Sequence, residues 1–319
     1  MPGKRKFIID TDAGIDDAQA IFMALGADDV DVIAITVVHG NTNAPQVARN
    51  VLRILKVAGR MEIPLYLGCD SPFLGDKRPP ADYHGSDGFG DAPDTSPPDE
   101  SLIQEEHSTQ ALSRLSKEYK GEITLLCLGP LTNIATTIRM DPEFGKRLKN
   151  CVIMGGNYHG KGNVTVSAEF NFYADPEGAY VVLNQLGCDI TMVCWELCDE
   201  HSLPWDIYHR LRAADTSIAR FMRAIEEKPM KKCFEEKWPL YVPCDELATA
   251  VALWDDVIKS HVHVYATVEL AGKLTWGQMV VDWQGILNKP KNVKIITDIN
   301  HERYRPYLFQ TYGIEYTAK

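Results

Sequence analysis

The sequence predicts an α/β fold: a single Rossmann-like domain over residues 1–319, with a mostly parallel central sheet flanked by helices and the site at the carboxyl ends of the strands. Three observations predict it. Short apolar runs such as residues 32–38 lack the alternation of a half-solvated strand, and unbroken runs belong to parallel strands covered on both faces. Helical stretches alternate with these runs along the chain, which requires crossover connections over a central sheet. Glycine, asparagine and carboxylate residues follow the runs directly, where an open α/β sheet has its ligand crevice.

The first run, Phe7-Ile8-Ile9, reads as a strand that empties into Asp10-Thr11-Asp12-Ala13-Gly14-Ile15-Asp16-Asp17. That density of negative charge needs a cation. Side chains alternate along a strand, so Asp10 and Asp12 share a side, and Gly14 is expected to supply the turn that returns Asp16 and Asp17. Oxygen ligands alone suit a hard ion, calcium or magnesium. Asp16 and Asp17 also sit where a helix N-terminus favours carboxylates, so a solvated acidic cap is the simplest competing reading. A calcium loop of the helix-loop-helix type fails, because Gly14, Ile15 and Ile21 fill positions that need an Asp or Asn, a Gly and a Glu. A phosphatase of the haloacid dehalogenase type also sets an Asp-x-Asp pair after a strand, but Gly14 stands where that type has Thr or Val.

Beyond the acidic loop, residues 18–25 predict a helix and 32–38 a buried strand. The pattern continues with a helix at 45–58, a strand at 64–67, a helix at 109–119, a strand at 123–128, a helix at 133–140 and a strand at 151–154. Residues 68–98 are rich in Pro, Gly and Asp and contain Asp82-Tyr83-His84-Gly85-Ser86-Asp87-Gly88-Phe89-Gly90, the composition of a long functional loop. Residues 225–240, with Lys231, Lys232, Glu235 and Glu236, read as a charged helix and loop. The apolar tail at 304–312 serves either a subunit contact or core packing. No repeat or linker divides the chain.

A hydrophobic content of 45% supports a sizeable core, and a formal net charge of −11 argues against a nucleic-acid or anionic-membrane partner. A small-molecule partner fits better. The eight cysteines form no Cys-x-x-Cys module, as expected of reduced thiols in a cytoplasmic setting. The basic start leads into an apolar run too short for a signal peptide, and no stretch approaches a membrane span.

Four strand exits gather polar residues: 10–17, His39-Gly40-Asn41, Leu128-Gly129-Pro130-Leu131-Thr132-Asn133, and Met154-Gly155-Gly156-Asn157. Asn163 and Glu169-Phe170-Asn171 follow the last. Singly, each is ordinary turn chemistry. In order, with Asp12 and Asp17 before them and Asp245 ahead of an Ala-rich helix after them, they closely resemble the nucleoside hydrolase family of the inosine-uridine type, from residue 7 to at least 255.

The resemblance implies roles. Asp12 matches the catalytic base and a calcium ligand, Asp17 and Asp245 match further ligands, and Leu128 matches the position whose carbonyl completes the protein ligands. Asp16, Asn163, Glu169 and Asn171 match partners of the ribose hydroxyls, with Met154 lining the sugar. Asn41 and His84 match positions near the base or the site mouth, and Asp10 matches support for the metal loop. The family further implies a ribonucleoside substrate and a homodimer or homotetramer. Physical chemistry agrees: calcium with six to eight ligands has room for a water and two cis hydroxyls of a ribose. Cleavage of an N-riboside passes through an oxocarbenium-like state that needs a base for water and anionic groups around the sugar.

One position departs from the pattern. Where the best-known members of the family it resembles carry His or an aromatic residue before the last metal-binding Asp, this chain has Cys244, a weak donor at neutral pH, as a branch of the family with Cys there would. His84 and Tyr241 are the replacement candidates for proton delivery, and Trp238 is a candidate for stacking on the base. The departure also admits two alternatives: hydrolysis of an unusual or modified N-riboside, or a calcium-dependent riboside binder that has lost catalysis.

Overall fold

The computed structural model describes residues 3–78 and 83–317. Among them a nine-stranded sheet runs in the order β4-β3-β2-β1-β5-β6-β7-β11-β8, with a two-stranded hairpin, β9 and β10, beside it. The strands are β1 Arg5–Thr11, β2 Val30–Val37, β3 Leu65–Leu67, β4 Ile103–Gln104, β5 Ile123–Cys127, β6 Asn150–Met154, β7 Ile190–Val193, β8 Ile258–Val264, β9 Ala266–Val268, β10 Met279–Val281 and β11 Val293–Ile299. Pairings within the large sheet are parallel except at its edge, where β8 runs antiparallel to β11.

The helices are α1 Ile15–Leu25, α2 Ala44–Ala58, α3 Ser108–Glu118, α4 Thr132–Met140, α5 Phe170–Ala174, α6 Pro176–Gln185, α7 Trp195–Glu200, α8 Trp205–Arg212, α9 Ser217–Glu235, α10 Asp245–Leu253 and α11 His301–Thr311. They divide the core in two. Phe7 and Ile9 on β1 pack with apolar residues of α1, α2, α9 and α10, whereas Ile8 between them packs with α3, α4 and α6 on the other face. Alternate residues of one strand therefore feed two cores, which is why the run shows no polar alternation.

Topology positions the site. The chain starts at the middle of the sheet, builds outward through β2, β3 and β4, then returns to the other side of β1 with β5. The exits of β1 and β5 thus flank the point where strand order reverses, the place a doubly wound sheet opens its crevice.

The eight expected elements from 18 to 154 all form, with ends shifted by up to three residues. α1 begins at Ile15, earlier than expected, because the Asp17 carboxylate accepts the Gly14 N–H (2.8 Å) and stabilises an extra turn. The stretch from Gly68 to Pro98 carries no helix or strand among its described residues, and Asp82 lies outside them. The tail forms α11, whose Tyr304, Leu308 and Phe309, with Tyr312 beyond it, are at most 1% exposed; it packs on the core. Among the described residues no helix is long and apolar enough to cross a membrane.

Candidate active site

Asp12 stands at the exit of β1 and is 1% exposed. Its Oδ2 accepts the Asn41 N–H at 2.8 Å, so the exit of β2 fixes the carboxylate. The approach requires glycine at position 40, where a Cβ would fall 2.0 Å from Asp12 Oδ2. Gly14 does not turn the chain as expected. Its φ is −82°, and the left-handed residue is Ala13 at φ +24°. Gly14 is instead a space requirement, since a Cβ there would lie 2.5 Å from Asn41 Nδ2 and 2.7 Å from His84 Nδ1. The unusual Ala13 conformation is held by its N–H to Thr11 Oγ1 (3.0 Å) and by its carbonyl, which accepts from Asn50 Nδ2 (3.1 Å).

Asp17 is fully buried, accepting from Thr11 Oγ1 and the Gly14 N–H. It caps α1, but it is not the solvated cap of the simpler reading. Asp16, Asp17 and Asp245 each bring one carboxylate oxygen within 4.8 Å of the others. Asp245, the first residue of α10, arrives from the far end of the chain. Asp12 stands beside this trio rather than in it, so Asp16, expected on the sugar side only, is the closer third oxygen. Burial, then repulsion among these carboxylates, holds Asp12 and Asp245 well above the usual carboxylate range and Asp17 at about 7. Such a cluster of hard oxygen donors fits a divalent cation.

Asp10 is also fully buried and supports the loop from below. Its Oδ1 accepts from Thr36 Oγ1 (2.5 Å) on β2 and from Asn133 Nδ2 (2.7 Å) on α4, while Oδ2 has no partner. Burial pushes its carboxyl up to about 7.

A cleft of about 410 Å³ opens over these strand ends. It is lined by Asp12, Asp16, Asn41, His84, Leu128, Met154, Asn163, Glu169, Asn171, Trp238, Tyr241, Cys244 and Asp245, which are all the sequence-predicted site residues except Asp17, buried behind them. On the side of β5 and β6, Glu169 caps α5, accepting the Asn171 N–H (2.8 Å) and, through its other oxygen, those of Gly156 (2.8 Å) and Phe172 (3.2 Å). Burial keeps its carboxyl up at about 7. Asn171 Nδ2 donates to the Leu128 carbonyl (2.8 Å) and the Met154 carbonyl (3.2 Å).

The remaining wall is aromatic. Tyr83 and Trp238 stack with centroids 6.1 Å apart and planes 21° from parallel, and Trp195 and Trp205 join them. Each candidate donor is held in a definite state. Ile15 N–H donates to His84 Nδ1 (3.1 Å), and burial lowers that imidazole below its usual range. Tyr241 donates its hydroxyl hydrogen to Glu246 Oε1 (2.6 Å), and burial raises the phenol well above normal. The Cys244 thiol meets that of Cys198, and this contact together with burial holds it well above the usual thiol range. Trp238 donates its indole N–H to Glu236 (2.9 Å) and leaves only its ring for the cleft.

Sequence reading missed Tyr83, Trp195, Asp199, Trp205 and Glu226 in the lining. Trp195 and Asp199 had a usable signal, since they follow the exit of β7. Glu226 on α9 had none, because only packing brings that helix over the mouth.

Comparison with known proteins identifies the family. The family model described as inosine-uridine preferring nucleoside hydrolase matches residues 7–306. The chain is 34% identical over 292 residues to the inosine-uridine preferring nucleoside hydrolase of Leishmania major, covering 91% of each protein. Two solved structures superpose closely. An inosine-guanosine nucleoside hydrolase matches at TM-score 0.89 and 31% identity, covering 99% of this chain and 100% of the other. A plant nucleoside hydrolase matches at 0.88 and 29%, covering 97% and 98%. With the family model spanning nearly its whole length, the chain belongs to the inosine-uridine preferring nucleoside hydrolase family.

Proposed function

We propose that this enzyme hydrolyses the N-glycosidic bond of ribonucleosides to ribose and free base, dependent on calcium, with Asp12 as general base. The observation that carries the reading is the convergence of Asp12, Asp16 and Asp245, from opposite ends of the chain, on one cleft that also holds Glu169 and Asn171, with Asp17 buried behind them and one of its oxygens within 4.8 Å of those of Asp16 and Asp245. Asp12, Asp17, Asp245 and the Leu128 carbonyl would hold the ion, with Asp16 offering a further oxygen. When bound, calcium supplies positive charge for the ribose cis hydroxyls and acidifies a nearby water.

The chain's own groups do the rest. Asp12, steadied by the Asn41 N–H, accepts the proton of the water that attacks C1′. Asp16, Asn163, Glu169 and Asn171 bind the sugar hydroxyls. Asn171 is turned for this, because its amide nitrogen is bonded to two carbonyls and its Oδ1 remains as an acceptor. The carboxylates around the sugar offset the positive charge that develops there. The Trp195, Trp205, Trp238 and Tyr83 rings shield the base from water.

Release of reducing sugar from a panel of ribonucleosides, with calcium and after chelation, tests the reading. No release from any member with calcium present overturns it. A homodimer or homotetramer in the cytoplasm is the proposed state, supported by exposed Leu274, Trp283, Ile286 and Leu287 near the hairpin and by eight free cysteines.

A further inference from the structure

We infer that this cleft is built for cationic N-ribosides, in which the ring nitrogen bound to C1′ carries a positive charge and the base departs as a neutral molecule. The inference rests on the hydrolase reading above and narrows its substrate.

Two observations carry it. The first is the hydrogen bonding at the base end. Departure of a neutral nucleobase normally needs a proton, and each candidate to give one is either bonded elsewhere or a weak acid. His84 Nδ1 accepts the Ile15 N–H, so the ring is a neutral imidazole with its one proton on Nε2, a far weaker acid than imidazolium. The Tyr241 hydroxyl is bonded to Glu246, and the Trp205 indole N–H to the Trp238 carbonyl (2.8 Å). Cys244 has only a thiol, a weak donor.

The second observation is the charge and chemistry of the lining. Among the described residues no Lys or Arg lines the cleft; of its carboxylates Asp12, Asp16 and Asp245 serve the ion and Glu169 the sugar, which leaves Asp199 and Glu226 for the base end. Arg212 neutralises Glu226 from behind. Asp199 lies four residues beyond Trp195, on the same face of α7, so a carboxylate accompanies the aromatic wall. Indole and phenol faces beside a carboxylate attract a flat cation through the ring quadrupole and the charge together. A phosphorylated riboside would meet repulsion in the same place.

The reaction balances without an acid. The C1′–N bond breaks and its electron pair goes to the ring nitrogen, cancelling the charge. The water oxygen bonds to C1′ and its proton passes to Asp12. No other reactant is required.

The test compares kcat/KM, with calcium, for 1-(β-D-ribofuranosyl)pyridinium against uridine, inosine and guanosine, in the native enzyme and in Asp199→Lys. Since a missing general acid costs about 10²- to 10⁴-fold, the pyridinium riboside should exceed each neutral nucleoside by at least about 100-fold. Asp199→Lys, at an exposed position, should lower that preference by about tenfold, as expected for reversing one charge beside the base. Neutral nucleosides cleaved as fast as the cation would overturn the inference and leave the hydrolase reading standing. A preference unchanged in Asp199→Lys would also overturn it, by assigning the difference to bond lability alone. No cleavage of any of the four substrates would overturn the hydrolase reading itself.

Discussion

Asp12 shows how far a single carboxylate depends on what surrounds it. Its Oδ2 is held by one backbone N–H, and the backbones of Gly40 and Gly129 come so close that a Cβ at either position would press on it. Asp12→Asn keeps the shape and removes the proton acceptor. It should lower kcat by about 10²- to 10⁴-fold while circular dichroism and melting temperature stay near native. Gly40→Ala keeps the acceptor and displaces it. A shift of about 1 Å should cost about 10²-fold in kcat/KM, with loss of metal affinity as the accompanying sign. The acidic residues of this loop were legible because four carboxylates within eight residues call for a cation, and the competing solvated cap fails on the burial of Asp17. The role of Gly14 was misread, because sequence cannot tell a glycine that turns the chain from one that makes room; here Ala13 carries the positive φ.

Elements other than the strands hold this site together. Asn50 on α2 donates to the Ala13 carbonyl (3.1 Å) and to the Asp87 carbonyl (2.8 Å), tying the acidic loop to the long loop that carries His84. Asn50→Ala strands both acceptors, and unsatisfied buried groups cost about 1–3 kcal/mol each. The variant should melt at lower temperature and raise KM more than it lowers kcat, measured by calorimetry and steady-state kinetics. Glu196 on α7 works the same way on the other side, accepting the N–H groups of Tyr158 (2.9 Å) and His159 (2.7 Å) at the start of the loop that bears Asn163. β1, β2, β3, β5 and β6 were legible from apolar runs followed by Gly, Asn or Asp, whereas β4, only Ile103–Gln104, was not. β7, Ile190–Val193, was missed too, although its run is as long as the one at 151–154 and Trp195 and Asp199 follow its exit. The positions of α8 and α9 were also hidden, since α9 packs against α1 and α2, α8 packs against α9, and no local pattern records it.

Across the whole molecule two buried polar systems bear on stability in opposite ways. The first joins α8 and α9 to α1 and the tail: Arg212 pairs with Glu226 and donates to Gln19 (2.9 Å) and Tyr312. Arg212→Met leaves a buried carboxylate unpaired and should destabilise by about 3–5 kcal/mol, read from denaturant titration. The second is the set of acids under the cleft. Asp10, Asp17 and Glu169 titrate at about 7 in the fold, raised by burial from their unfolded values near 4. With folded values above unfolded ones, the native state holds protons that the unfolded chain has already lost. Their stabilising contribution is therefore complete below about pH 4 and disappears as pH rises through about 7. Metal-stripped protein should accordingly melt at a lower temperature at about pH 8 than at about pH 5. A cation that replaces those protons at Asp17 and its neighbours reverses the trend where they are absent. Added calcium should thus raise the melting temperature far more at about pH 8 than at about pH 5, following the mass-action form for a ligand of the native state. Equal stabilisation at the two pH values would mean that the ion binds away from these carboxylates.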